Sequence, residues 1–172
     1  ADMKQVWGKD YDGYLDYVTG WHAKAKDLLA DRPGEFAYVT TNSITQGQPV
    51  PALFGPLFRE GWRIKFAHRT FKWDSEAPGK AAVHCVVVGF TRDREAKSRL
   101  WDYPDVKGEP VEQSVGHGIN AYLIDGPNVL VAKRMQPLSS ELPRALFGSK
   151  PVDGGNLIVE TKDYDEVAAD PI

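Results

Sequence analysis

Directly after an apolar run, Phe36-Ala37-Tyr38-Val39-Thr40, the chain reads Thr41-Asn42-Ser43-Ile44-Thr45-Gln46-Gly47-Gln48, a cluster of side-chain amides and hydroxyls. Such groups orient a ligand by hydrogen bonds without charge, and the carboxyl ends of strands are where open α/β sheets bind ligands. Asn42 and Ser43 are therefore either pocket-lining groups or a turn that caps the next helix. A second candidate stretch carries two aromatics, Phe71 and Trp73, next to the carboxylates Asp74 and Glu76. Paired carboxylates suit acid and base work, yet in a polar loop their default state is simply solvated. His22, His68, His84 and His117 are scattered, with no metal-ligand partner at helical or hairpin spacing, and read as core, surface or strand residues. The sequence has no GxGxxG, no GxxxxGKS/T and no HExxH. The single cysteine, Cys85, lies inside an apolar run; it reads as a small buried hydrophobe and allows neither a disulfide framework nor a cysteine-rich zinc site. No metal is expected.

The elements that must position these residues come from an ordinary globular composition. With 172 residues, 42% of them hydrophobic and 26% charged, the chain is long enough for one principal domain with a real core. A formal net charge of −3 does not by itself point to a nucleic-acid-binding face, so a polyanion partner needs a local patch or chain that is not present. No apolar run approaches the roughly 20 residues that span a bilayer, and no signal peptide opens the chain, so the expected location is the cytoplasm, without a membrane partner. The absence of an initiator methionine and the ending Asp170-Pro171-Ile172 read as cuts inside a longer polypeptide.

Tyr14, Leu15, Val18, Trp21, Ala25, Leu28 and Leu29 recur at spacings of three and four and predict a helix over Asp12 to Ala30, stopped by Asp31-Arg32-Pro33-Gly34. Phe36 to Thr40, apolar on both sides, predicts an interior strand covered on both faces. Pro49 and Pro51 suit the first turn of a second helix, which Gly55-Pro56 is expected to kink or split. Trp62, Ile64, Phe66 and His68 alternate with Arg63, Lys65, Ala67 and Arg69, the period of a strand with one wetter face. Ala81 to Phe90 is nearly uncharged and predicts a central strand, antiparallel to its predecessor because the connection is short. Leu100 to Pro104 reads as a short strand, Val106 to Gly118 as a polar loop, and Ile119 to Val131 as a hairpin turning at Asp125-Gly126-Pro127-Asn128. From Gln136 onwards proline and glycine dominate, with Asn156 to Val159 the one strand-like piece. The pattern is that of the second half of an α/β sheet, and the physics alone stops there.

Leu15 to Leu29 followed by Gly34-Glu35-Phe36-Ala37-Tyr38-Val39-Thr40-Thr41-Asn42-Ser43-Ile44 resembles the helix and strand of adenine-specific DNA methyltransferases, whose pattern is roughly LYxxFxxxAxxLL then GGxxAFxxPNSL, with Thr41 where proline is common. The ordered blocks VTTNSITQG, ALFGPLF, GWRIKFAHRTFKW, AAVHCVVVGF and INAYLIDGPNVLV are similar to the MmeI-like family of DNA methylases. In those large restriction-modification enzymes an endonuclease, an amino-methyltransferase and a target-recognition domain share one chain. The resemblance implies the C-terminal half of a Rossmann-like class I methyltransferase sheet with an antiparallel final strand pair, over residues 1–135. It also implies a loop-rich exit segment, residues 136–172, leading toward target recognition. The family's glycine-rich loop for S-adenosyl-L-methionine and its Asn/Asp-Pro-Pro-Tyr/Phe motif do not occur in this sequence, so catalytic residues are expected upstream of Ala1, and the chain alone is expected to be inactive. The implied reaction, on duplex DNA, is methylation of the exocyclic N6 of an adenine rotated out of the stack. Trp73, or Phe71, is the implied stacking partner, Asn42 and Ser43 line the same pocket, and Arg69 and Lys72 meet phosphate. A non-catalytic binding or scaffold module and an unrelated small-ligand enzyme are the alternatives. The unpaired edge of a truncated sheet also exposes the chain to non-native self-association.

Overall fold

The computed structural model describes residues 2–73, 83–134, 137, 139–141 and 158–169. Two compact units, Ala1–Lys133 and Arg134–Ile172, divide the chain. In the first, β1 (Phe36–Thr41), β2 (Arg63–Trp73), β3 (Val83–Thr91), β4 (Arg99–Asp102) and β5 (Val111–Gln113) form a sheet ordered β1-β3-β2-β4-β5. β3 runs antiparallel to both β1 and β2, β4 runs parallel to β2, and β5 is antiparallel to β4. A short connection forces the reversal between β2 and β3, whereas the helical crossover between β1 and β2 brings β2 back in the direction of β1. The carboxyl ends of β1, β2 and β4 therefore share one edge of the sheet.

β3 is an interior strand between β1 and β2, with Val86, Val88 and Phe90 buried on one face. Helices α2 (Thr19–Leu28) and α3 (Pro49–Arg59) cover that face: His22 of α2 and Phe54 of α3 both pack on the Phe90 ring. The opposite face carries Val39, which is 49% exposed. Among the described residues β1 pairs only with β3, so the interior, doubly covered strand expected from its composition is instead a sheet edge with one open face. Phe66 lies flat on that face across β3, at Gly89, where a β-carbon would come within 2.2 Å of the ring.

Several boundaries differ from those the sequence suggests. The helix predicted from Asp12 starts at Thr19, because the Asp12 carboxylate accepts the Tyr14 N–H at 2.8 Å and caps a turn instead of a helix. A separate short helix, α1 (Asp2–Trp7), precedes it. At the far end of α2 the Arg92 guanidinium donates to the carbonyls of Leu29, Ala30 and Arg32 and stacks on Trp62 at 4.6 Å, closing the helix terminus from a distant strand. α3 continues through Gly55-Pro56, and Gly61, at φ 82°, turns the chain into β2. Register shifts between Ile64 and Phe66 and between His68 and Phe71 interrupt the alternation of β2, so Ala67, placed on the wet face by a strict period of two, is fully buried.

The polar stretch from Val106 contributes β5, and the hairpin predicted over Ile119 to Val131 does not form. Ile119 makes isolated bridges to Ile64 and Asp125. The Asn120 side chain accepts from the N–H of Tyr122 and Ile124 at 2.9 and 3.4 Å, and the Asp125 carboxylate accepts from Gly116, His117 and Gly118 at 3.0, 2.8 and 3.1 Å. Local side-chain acceptors satisfy the donors that a strand ladder would use. In the second unit a turn at Thr161–Asp163 leads into α4 (Tyr164–Ala169). The strand-like Asn156 to Val159 lies partly outside the described residues, and Ile158 and Val159 are not in a strand. Among the described residues no helix is long and apolar enough to cross a membrane.

His22 is fully buried against Phe36, Tyr38 and Phe90, and neither ring nitrogen has a hydrogen-bond partner of good geometry. Burial lowers its pKa from 6.5 to about 4, only partly offset by the Val18 carbonyl. The folded state thus binds fewer protons here than the unfolded state, and stability is present above pH 6.5 and lost as the pH falls toward 4. Unfolding at pH 7.5 and pH 5 is expected to differ by about 2 kcal/mol from this group alone, rising to about 3 kcal/mol at pH 4. His22→Leu should remove that share of the acid sensitivity; an unchanged pH dependence would show that His22 is charged in the fold.

Candidate functional site

The sheet register brings the sequence-predicted residues to one edge. Thr41 of β1 and Phe71 of β2 both lie opposite Cys85 of β3, so the two strand ends are separated by two strand spacings, about 10 Å. Asn42 follows Thr41, and β2 continues past Phe71 with Lys72 opposite His84 and Trp73 opposite Val83. The third parallel strand adds Asp102 and Tyr103 to the same edge.

Trp73 is 48% exposed, and its ring lies beside that of Phe71, with centroids 6.3 Å apart and planes 49° apart. Phe71 also meets Tyr103, with ring centroids 5.2 Å apart and planes 30° apart. The Tyr103 hydroxyl and His68 Nδ1 share a hydrogen bond of 2.9 Å, and the His68 ring stacks on Trp101 at 4.6 Å and 9°. Burial holds the His68 pKa below its usual value, and burial followed by the Glu109 charge raises that of Tyr103. Both groups are therefore neutral near pH 7. The result is a row of rings across β2 and β4, on the sheet face away from α2 and α3.

The polar groups divide by how far they are already engaged. Ser43 Oγ donates to Asp16 at 3.2 Å and shares a 2.8 Å hydrogen bond with the Thr41 hydroxyl, which leaves it committed to a local network. The Asn42 carbonyl accepts from the Thr45 hydroxyl at 2.8 Å, while its half-buried side-chain amide makes no hydrogen bond among the described residues. Arg69 pairs with Asp102 at 3.2 Å. Both side chains are more than a third exposed, so the pair contributes little to stability, and the guanidinium keeps further N–H donors. The Lys72 backbone N–H donates to the Val106 carbonyl at 2.7 Å, which ties the loop after β4 to the end of β2. Asp74 and Glu76 lie outside the described residues.

An edge of this kind binds by shape and stacking. It offers aromatic faces to a planar ligand and an amide to orient it, with no activated nucleophile among the described residues. The Cys85 thiol, pushed up by burial, stays protonated and unreactive. Among the described residues no group of three or more His, Cys, Asp or Glu side chains is placed to hold a metal ion. Sequence reasoning did not bring His68, Trp101 or Tyr103 to this edge. The period-two spacing of Trp101 and Tyr103 was the available signal, but it becomes informative only once β4 is known to lie beside β2.

A family model described as the MmeI DNA-methyltransferase domain matches residues 1–102. The chain is 36% identical over 165 residues to DNA methyltransferase A of Bacillus subtilis (strain 168), a stretch that makes up 95% of this chain and 18% of that protein. Its fold is similar to a solved structure of the type IIL restriction-modification enzyme MmeI in complex with DNA, with a TM-score of 0.85 and 38% identity over 96% of this chain and 22% of that one. The chain thus spans about a fifth of the length of these relatives.

Proposed function

Because the chain belongs to the family of the MmeI DNA-methyltransferase domain, we propose that it forms the base-receiving part of an adenine-N6 DNA methyltransferase, working within a longer polypeptide. The observation that carries this reading is the meeting of Trp73, Phe71 and Asn42 at one sheet edge, where the carboxyl ends of three parallel strands converge. β3, antiparallel and wedged between parallel β1 and β2, supports a class I methyltransferase sheet with an antiparallel strand pair, which β4 and β5 extend.

A base inside a duplex is out of reach of methyl-transfer chemistry and must be rotated out, at a cost in stacking. Trp73 and Phe71 offset part of that cost by stacking on the extruded adenine. Asn42, with its uncommitted amide, is the group suited to hydrogen-bond an edge of the base, and Ser43 holds the turn that presents it. Arg69 and Lys72, at the rim, face the DNA backbone. S-adenosyl-L-methionine supplies the methyl group in the complete enzyme, meaning a polypeptide that carries this chain together with a cofactor-binding half. The strand-to-helix connection in this chain, Asn42 to Gln48, contains one glycine and does not fit that cofactor's glycine-rich cradle. The division of labour that follows is one half for the donor and this half for the base, with residues 136–172 as the connector toward target recognition. Duplex DNA is the partner, and the cytoplasm is the site of action.

The test is product analysis. The complete enzyme, given duplex DNA and S-adenosyl-L-methionine with a labelled methyl group, is expected to yield labelled N6-methyladenine on digestion to nucleosides, and the 172-residue chain alone to yield none. Label in a methylated cytosine, or no transfer by the complete enzyme, overturns the reading.

A further inference from the structure

We propose that Tyr103 and His68 are positioning residues that set the height and tilt of the Phe71–Trp73 platform, an inference that rests on the stacking role given to those rings above. The starting point is the irregularity of β2. Its register with β3 slips between His68 and Phe71, where regular ladder support is lost just before the platform. The slip leaves His68 opposite Val87 and Phe71 opposite Cys85, so two residues that strict alternation would put on opposite faces share one. Bulges of this kind re-aim side chains, and here both re-aimed rings reach the same neighbour, Tyr103.

Tyr103 is itself held from behind. Its hydroxyl is fixed by His68, whose ring is clamped on Trp101, and the Arg99 guanidinium covers Trp101 at 4.5 Å. Glu112 of β5 grips Arg99 through two hydrogen bonds of 2.8 and 3.1 Å. A tyrosine that only filled space could rotate about its ring axis, whereas one anchored at both the ring and the hydroxyl holds a single orientation. Phe71, packed against that ring at 5.2 Å, inherits it and passes it to Trp73. Preorganisation matters at such a site because a stacking surface that must be ordered on binding recovers less of the cost of extruding the base.

The experiment uses the complete enzyme and a duplex in which 2-aminopurine replaces the target adenine. Tyr103→Phe removes one oxygen and no ring, His68→Phe keeps a ring on Trp101, and both delete the same hydrogen bond. In the unaltered enzyme the probe should brighten on binding as it leaves the stack. Each variant is expected to bind DNA with unchanged Kd, to give a brighter probe because the looser platform quenches less, and to lose roughly three- to tenfold in kcat. The double variant should be no slower than the slower single. Multiplying losses in the double variant, or a lowered Tm with kcat and probe emission unchanged, overturns the proposal and leaves the pair as packing. A probe that stays dark in the unaltered enzyme at every adenine position overturns instead the stacking reading on which the proposal stands.

Discussion

Replacing Trp73 with alanine in the complete enzyme is expected to lower kcat/KM for methylation of duplex DNA by roughly 5- to 160-fold, the equivalent of the 1–3 kcal/mol that a base-to-aromatic stack contributes. Stability should hardly move. The ring is 48% exposed and its one ring partner among the described residues is Phe71, with centroids 6.3 Å apart, so truncation is expected to open no enclosed cavity and to cost less than about 1 kcal/mol. The two quantities are therefore predicted to separate, with catalysis falling steeply and Tm by a degree or two at most. Trp73→Phe, which keeps a smaller π-face, should recover most of the loss. Equal falls in activity and in folding free energy would place Trp73 in the packing of the sheet edge and remove it from the pocket. A similar alanine exchange at Phe71 is less clean, because that ring also supports Tyr103.

The parts of this arrangement that could be read from the letters are those in which one residue's environment follows from its neighbours in sequence. The nearly uncharged run ending at Phe90 has to be an interior strand, and the short connection from Trp73 makes it antiparallel to β2. The same logic misjudged β1, whose apolar letters on both sides fit a doubly covered strand and a half-open edge strand equally well. Asn120 reads as a residue of the first hairpin strand and Asp125 as the start of its turn, whereas their carbonyl and carboxylate oxygens capture backbone donors and dissolve the hairpin. At the candidate site, Asn42 and Trp73 were legible as strand-end residues, and the resemblance to known methylases tied them to one pocket. The His68–Tyr103 contact was not legible. It depends on a bulge in β2 and on β4 lying parallel to β2, two facts set by tertiary packing and absent from local periodicity.

Phe90→Ala provides the opposite dissociation. Phe90 is 1% exposed and stacks on Phe36 at 4.8 Å, with Phe54 and His22 at 6.0 and 5.9 Å, so truncation leaves a cavity among rings that cannot collapse onto it without moving two helices. The expected loss is about 3–5 kcal/mol, a large part of a typical domain's total. In the sheet Phe90 lies opposite Phe36 on one side and Ile64 on the other, at the end of β3 remote from the Cys85 row that spaces the candidate site. The platform should therefore keep its geometry in whatever fraction stays folded, and kcat measured well below the lowered Tm should remain within about twofold of the unaltered enzyme. A second consequence follows from the position of His22. Opening a cavity beside its ring lets water approach, weakens the burial that depresses its pKa to about 4, and returns that value toward 6.5. The variant should accordingly be less stable at neutral pH yet lose less of its remaining stability between pH 7.5 and pH 5 than the unaltered protein does. Unfolding free energies at those two pH values check both effects at once. A loss of kcat parallel to the loss of stability would mean that the ring cluster and the base edge move as one cooperative body.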